Sequence, residues 1–241
     1  MHSPELHGGI CEEMKTLQDR STNQWDVRDL GRIAYREAWA LQKEVVASRH
    51  AGTVRDTLLI CEHEPVVTTG RGTPDDAVLD ARFPVEIVER GGEATYHGPG
   101  QLVIYPIVKM GPQSRDLHHW LRALEDACIE TLDSFGLPSG RRAGATGVWV
   151  SEPGSEQRKI VSIGVAASRW VSWHGLALNH ETKLEDFSVI KPCGFDAGVM
   201  TSMAAEMGGY YPSRADVLSQ LVPALQRHLA VFQEGGEEDL P

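Results

Sequence analysis

Apolar residues recur along this chain at two spacings. Leu30, Ile33, Ala34, Ala38, Leu41 and Val45 return at helical intervals, so Asp29 to Arg49 reads as an amphipathic helix. A second helix runs from Asp116 to Phe135, with Leu117, Trp120, Leu121, Leu124, Cys128 and Leu132 on one stripe, and Gly136 and Pro138 end it. A third covers Ser213 to Phe232, entered at a Ser213 cap. Short apolar or alternating runs predict strands: Thr57 to Cys61, Val66 to Thr69 beyond the break at Pro65, Val85 to Glu89, and Leu102 to Val108. Three more follow at Val148 to Ser151, Lys159 to Ser168 and Val171 to Asn179, the last two an antiparallel pair joined near Ser168-Arg169. Leu184 to Ile190 reads either way. Without regular βαβα alternation, the expected fold is α+β, a mixed and mostly antiparallel sheet flanked by helices. Residues 24–233 are expected to form one domain, with 1–23 a disordered polar arm and 234–241 a disordered acidic tail.

Composition narrows the function. The 241 residues carry 23 Lys plus Arg against 34 Asp plus Glu, a net charge of −11 that argues against a general nucleic-acid binder. No apolar run reaches the ~18 residues of a membrane span. The first residues carry Glu5, Glu12, Glu13 and Asp19 and do not read as a secretory signal. Cys11, Cys61, Cys128 and Cys193 stand far apart, which excludes a disulfide scaffold and points to a reducing, cytoplasmic setting.

Familiar catalytic motifs are missing. There is no Gly-Lys for a phosphate loop, and Gly70-Arg71-Gly72 lacks the third glycine of a dinucleotide fingerprint. Neither H-E-x-x-H nor a G-x-S-x-G elbow occurs. Cys61-Glu62-His63-Glu64 reads as a strand end with solvated charges rather than a zinc site.

Three segments remain. Arg90-Gly-Gly-Glu-Ala-Thr-Tyr-His-Gly-Pro-Gly-Gln101 holds four glycines, so its backbone can approach a ligand closely, and Thr95, Tyr96 and His97 add polar side chains. His97 could equally hold its own loop, and Arg90 could be a solvated charge. In Lys159–Gly164, alternation puts Lys159 level with Val161, Ile163 and Val165. Such a lysine is either partly desolvated and a candidate base, or snorkels to water. The other face carries Ser162 and Gly164; if Gly175 and Ala177 share it, they form a shallow floor for an apolar chain. In Lys191-Pro-Cys-Gly194, the turn exposes Cys193 more than Cys61 or Cys128, and a nearby ammonium would favour its thiolate.

Together these segments resemble the lipoyl(octanoyl) transferases of the lipoate pathway. The resemblance rests on Arg90-Gly-Gly-x-x-Thr-Tyr-His-Gly-Pro-Gly-Gln101, Gly147-Val-Trp-Val150, Lys159-Ile-x-Ser-Ile-Gly164, His174-Gly-Leu-Ala-Leu-Asn179 and Pro192-Cys-Gly194. It implies a catalytic domain similar to that of biotin and lipoate protein ligases. It implies transfer of an octanoyl or lipoyl group from acyl carrier protein to a lysine of lipoyl domains, those of 2-oxoacid dehydrogenase E2 subunits and the glycine-cleavage H protein. The implied dyad is Cys193, which carries an acyl thioester, and Lys159. Implied substrate contacts are Arg90, Gly91, Gly92, Glu93, Ala94, Thr95, Tyr96, His97, Ser162, Ile163, Gly164, Gly175, Leu176 and Ala177. No metal, nucleotide or other cofactor is implied, and no nucleic acid or membrane. Strict alternation opposes Lys159 to Ser162, so Lys159 must precede the regular strand or turn toward the site at a bulge. Backbone N–H groups near Cys193, or His97, are expected to stabilise the oxyanion. Arg71, Arg90, Arg141, Arg142, Arg158 and Lys159 are expected to form a basic rim for acidic partners. Alternatives are an ATP-dependent ligase on the same scaffold, a thiol hydrolase, or a non-catalytic acyl-binding module.

Overall fold

The computed structural model describes residues 25–150, 156–191 and 197–233. The expected arm (1–23), the acidic tail (234–241) and the Pro192-Cys193-Gly194 turn lie outside the described residues.

Among the described residues, ten strands form two sheets. The larger has the order β1 (Trp25–Ile33), β2 (Asp56–His63), β6 (Gln101–Ile107), β10 (Val171–Asn179), β9 (Arg158–Ser168), β8 (Ala145–Val150) and β7 (Ser139–Arg142). Only its β1–β2 pair is parallel, so the sheet is mostly antiparallel. The smaller sheet has β3 (Val66–Thr69) at its centre, parallel to β4 (Val85–Ile87) and antiparallel to β5 (Thr95–His97).

The large sheet is covered on both faces, which is why its central strands read as unbroken apolar runs. Leu58, Ile60, Leu102, Ile104, Leu176 and Leu178 point to one side. There they pack with α2 (Leu117–Ser134) and α4 (Arg214–Leu229). Leu59, Cys61, Val103, Tyr105 and Ala177 point to the other side, toward α1 (Tyr35–His50). The helix ends are chemically specified. Asp116 accepts from the His118 and His119 N–H groups, and Ser213 and Asp216 form a reciprocal capping box. Between α2 and α4 lies a single turn, α3 (Met203–Met207).

The helix expected over Asp29 to Arg49 begins only at Tyr35. The residues before it form β1, with Gly31 at φ +61° and a register shift between Asp29 and Arg32. Leu30 and Ile33 match the helical spacing of Ala34 and Ala38 by coincidence and reach the α1-side core from a strand. The hairpin between β9 and β10 is real, its two linking residues Arg169 and Trp170 both at positive φ, as a type I′ turn requires. Leu184–Val189 is a short 3-10 helix. Cys61 and His63 are buried, not solvated: His63 Nε2 accepts from the Tyr105 hydroxyl at 2.7 Å, and its Nδ1 donates to the Ile33 carbonyl.

Candidate active site

The floor inferred from alternation is present. The β9–β10 register sets Ser162 opposite Ala177 and Gly164 opposite Gly175, four small residues on the face toward the small sheet. The glycine-rich segment is laid across it: the Gly91 N–H donates to the Val165 carbonyl at 2.9 Å. A methyl group on Gly164 would stand 2.9 Å from Arg90 Cδ and 3.0 Å from the Gly91 carbonyl oxygen. We therefore expect Gly164→Ala to lift this segment and raise the KM for an octanoyl donor several-fold, read by steady-state kinetics; an unchanged KM would remove Gly164 from the floor.

A bulge delivers the lysine. Val148 of β8 faces Val161 and Trp149 faces Lys159, so β9 spends one extra residue, Ile160, between them. Ile160 and Val161 consequently both enter the helix-side core. Lys159 is turned to the opposite face, with Ser162 and Gly164. It is only 2% exposed, which overturns the snorkelling reading. Its Nζ stands 5.4 Å from the centre of the Trp149 ring, and its stem passes over Gly147.

The small sheet makes the second wall. Alternation along β5 sends Thr95 and His97 into the cleft and Tyr96 away from it. Tyr96 instead packs against Phe83 and Phe187, and its hydroxyl donates to Asp186. Thus Arg90, Gly92, Glu93, Ala94, Thr95 and His97 line the cleft with Ser162, Ile163, Gly164, Gly175, Leu176 and Ala177, whereas Gly91 and Tyr96 do not. Gly91 acts through its backbone and Tyr96 through the core beneath the loop. Arg90 is buried, donating through Nη2 to the Thr68 carbonyl (2.8 Å) and hydroxyl (2.9 Å). It is a built part of the wall and not a solvated charge.

Three further residues line the cleft from outside the motifs, Tyr35, Val103 and Tyr105, and His174 lines it from within a motif but is not among the implied contacts. Tyr35 stacks on His97 with ring centres 5.9 Å apart. His174 sits at φ +57°, its N–H held by Gln42, and neither ring nitrogen has a partner among the described residues. Burial, with Arg90, Lys43 and Arg71 adding repulsion, lowers its pKa to about 3. His97 is likewise lowered to about 3, chiefly by burial, so both imidazoles are neutral at physiological pH. Cys61 and Cys128 are buried free thiols, and burial raises both pKa values far above the range where a thiolate forms.

The expected basic rim is narrower than the sequence implied. Arg141 is paired with Glu125 and Asp126, and Arg158 with Glu206. Arg142 lies over Trp149, 4.8 Å from the ring centre. Arg90, Lys43 and Arg71 are the cations whose charge acts on His174 in the cleft.

The fold and sequence both have known relatives. Residues 34–226 match the model of the lipoyl protein ligase A/B catalytic domain. The octanoyltransferase of Geobacter metallireducens is 44% identical over 77% of this chain and 85% of its own. That of Syntrophotalea carbinolica is 44% identical over 86% and 95% respectively. Among solved structures, a bi-partite lipoate protein ligase from Thermoplasma acidophilum superposes with a TM-score of 0.66 at 17% identity, covering 87% of this chain and 85% of the other, a likeness of fold. No helix among the described residues is long and apolar enough to cross a membrane. The chain belongs to the octanoyltransferase family, within the lipoyl protein ligase A/B catalytic domain family.

Proposed function

We propose that this chain moves an octanoyl group from acyl carrier protein to a lysine of a lipoyl domain, in the cytoplasm, through a thioester on Cys193. The observation that carries the reading is the bulged, buried Lys159 at the edge of a floor made from Ser162, Gly164, Gly175 and Ala177. A bare floor suits an unbranched acyl chain, and a buried amine beside it suits proton transfer at the acyl carbonyl.

In the first half-reaction Lys159 promotes the Cys193 thiolate. The sulfur attacks the donor thioester, a new C–S bond forms, the old one breaks, and the carrier thiol leaves with the proton. Exchange of one thioester for another is close to thermoneutral, so positioning governs the rate. In the second half-reaction the lipoyl-domain amine attacks the acyl-Cys193 carbonyl. The C–N bond forms, the C–S bond breaks, and Lys159 takes the amine proton. Oxyanion stabilisation falls to backbone N–H groups near Cys193 or to His97 in the cleft wall. The donor arrives activated, so this route calls for no nucleotide.

Intact-mass measurement after mixing with octanoyl-carrier protein tests the assignment. We expect one added octanoyl group, on a peptide containing Cys193, discharged by a lipoyl domain and absent from Cys193→Ala. Undiminished transfer by Cys193→Ala would overturn the thioester route. Turnover of free octanoate with ATP would instead identify a ligase.

A further inference from the structure

We infer that His174 is a specificity-determining residue, a stop that ends the acyl cleft eight carbons from the reacting carbonyl. Its role rests on the octanoyl-transfer reading and extends that reading from the kind of cargo to its length. Hydrophobic spacing gives His174 no reason to enter the cleft. Leu176, two residues on, and Val165, its cross-strand partner, both belong to the helix-side core, and strict alternation would send His174 there with them. The positive φ of +57° breaks that alternation. The turned backbone is pinned from α1, where the buried Gln42 side chain accepts the His174 N–H at 2.9 Å. The ring comes out on the opposite face. It stacks on Trp173, which packs against the α1-side core, with ring centres 4.4 Å apart. There His174 lines the cleft, within reach of the Arg90 charge on the loop wall.

This placement costs the fold stability twice. A residue other than glycine is strained in the left-handed region. A buried imidazole with neither nitrogen partnered among the described residues also forfeits the hydrogen bonds it makes in water. Such costs concentrate where a residue serves a site rather than the core.

The strand register turns the position into a length. The near end of the floor is the Ser162–Ala177 pair, because the Lys159 stem crosses Gly147, next to the Val148 that faces Val161. Gly164 and Gly175 follow two residues along, and Val165 with His174 one residue further. Three residues of strand cover ~10 Å. An extended octanoyl chain measures ~9 Å from carbonyl to methyl, with C–C bonds of ~1.5 Å at tetrahedral angles. Its last carbon therefore meets the imidazole, and the ~2.5 Å of two more methylenes has no room. The loop closes the cleft at the same level, where the Gly91 N–H donates to the Val165 carbonyl at 2.9 Å.

Acyl-carrier donors of six, eight, ten and twelve carbons, each offered to the full chain with a lipoyl domain, test the stop through kcat/KM for transfer. The unaltered protein should show a steep fall between eight and ten carbons. His174→Gly opens the cleft end and tolerates the positive φ. It should raise the ratio of decanoyl to octanoyl kcat/KM at least tenfold, the scale of a methylene newly accommodated in an apolar pocket. His174→Asn, also at ease at positive φ and shorter than histidine, should move the ratio the same way by a smaller step. A role confined to folding would lower transfer from every donor alike. An unaltered protein that accepts eight to twelve carbons equally overturns the inference without recourse to any variant, and leaves the transferase reading standing. Folded His174→Gly and His174→Asn proteins that keep the original ratio overturn it too. A chain acylated by no donor of any length defeats the transferase reading, and the stop with it.

Discussion

Lys159→Met is expected to abolish octanoyl transfer while leaving the fold intact. The lysine stem is already buried, packed over Gly147 and against Trp149, and methionine fills nearly the same volume. A volume-conserving replacement in a packed interior usually costs less than about 1.5 kcal/mol, so the fold should persist with a melting temperature lowered by a few degrees at most. Activity is another matter. On the proposed route, Cys193 would lose its ammonium partner in the first half-reaction, and the attacking amine would lose its proton acceptor in the second. Positioned acid–base groups contribute ~10²–10⁴-fold, and one group serving twice belongs toward the upper end of that range. Lys159→Arg separates charge from proton transfer, because a guanidinium keeps the positive charge but does not deprotonate in proteins. It should acylate slowly and fail at aminolysis. Transfer by Lys159→Met within tenfold of the unaltered rate, with intact melting, would remove Lys159 from the chemistry.

Gly147→Ala is expected to be the most damaging single methyl group near the site. Its Cβ would stand 2.3 Å from the Val161 carbonyl oxygen and 2.8 Å from Lys159 Cε. The residue also lies at φ +122°, outside the range open to alanine. Backbone strain of ~1–3 kcal/mol and overpacking of similar size both apply. Relaxation is blocked on the far side, where the Gly147 N–H is held at 3.0 Å by the buried Glu125 carboxylate. That carboxylate is itself clamped by Arg122 and Arg141. Urea unfolding should show a loss of about 3 kcal/mol or more, and the folded fraction should transfer poorly because Lys159 is displaced. A midpoint shift equivalent to less than 1 kcal/mol, with activity retained, would mean that β8 slides freely past β9.

Much of this was legible in the chain, and the gaps have physical causes. β2 and β6 announce themselves because a strand buried on both faces is largely apolar. The floor follows from the period of two and needs only the register, which a two-residue hairpin sets. Lys159 was ambiguous because a bulge leaves no mark on hydrophobic spacing; Ile160 and Val161 look like ordinary neighbours until both are found in one core. β5 was hidden by the glycines around it, and with it the reason why Tyr96 and His97 part company. Tyr35 and Tyr105 reach the cleft from α1 and β6, remote in sequence from every motif. Only assembly of the two sheets reveals them.

The four-residue floor has an evolutionary corollary. Glycine and alanine are already the smallest side chains, and serine is barely larger, so drift at these positions can only raise the surface. Homologues that alter them should favour shorter or slimmer cargo. Capacity for longer cargo would have to be gained at the aromatic walls instead.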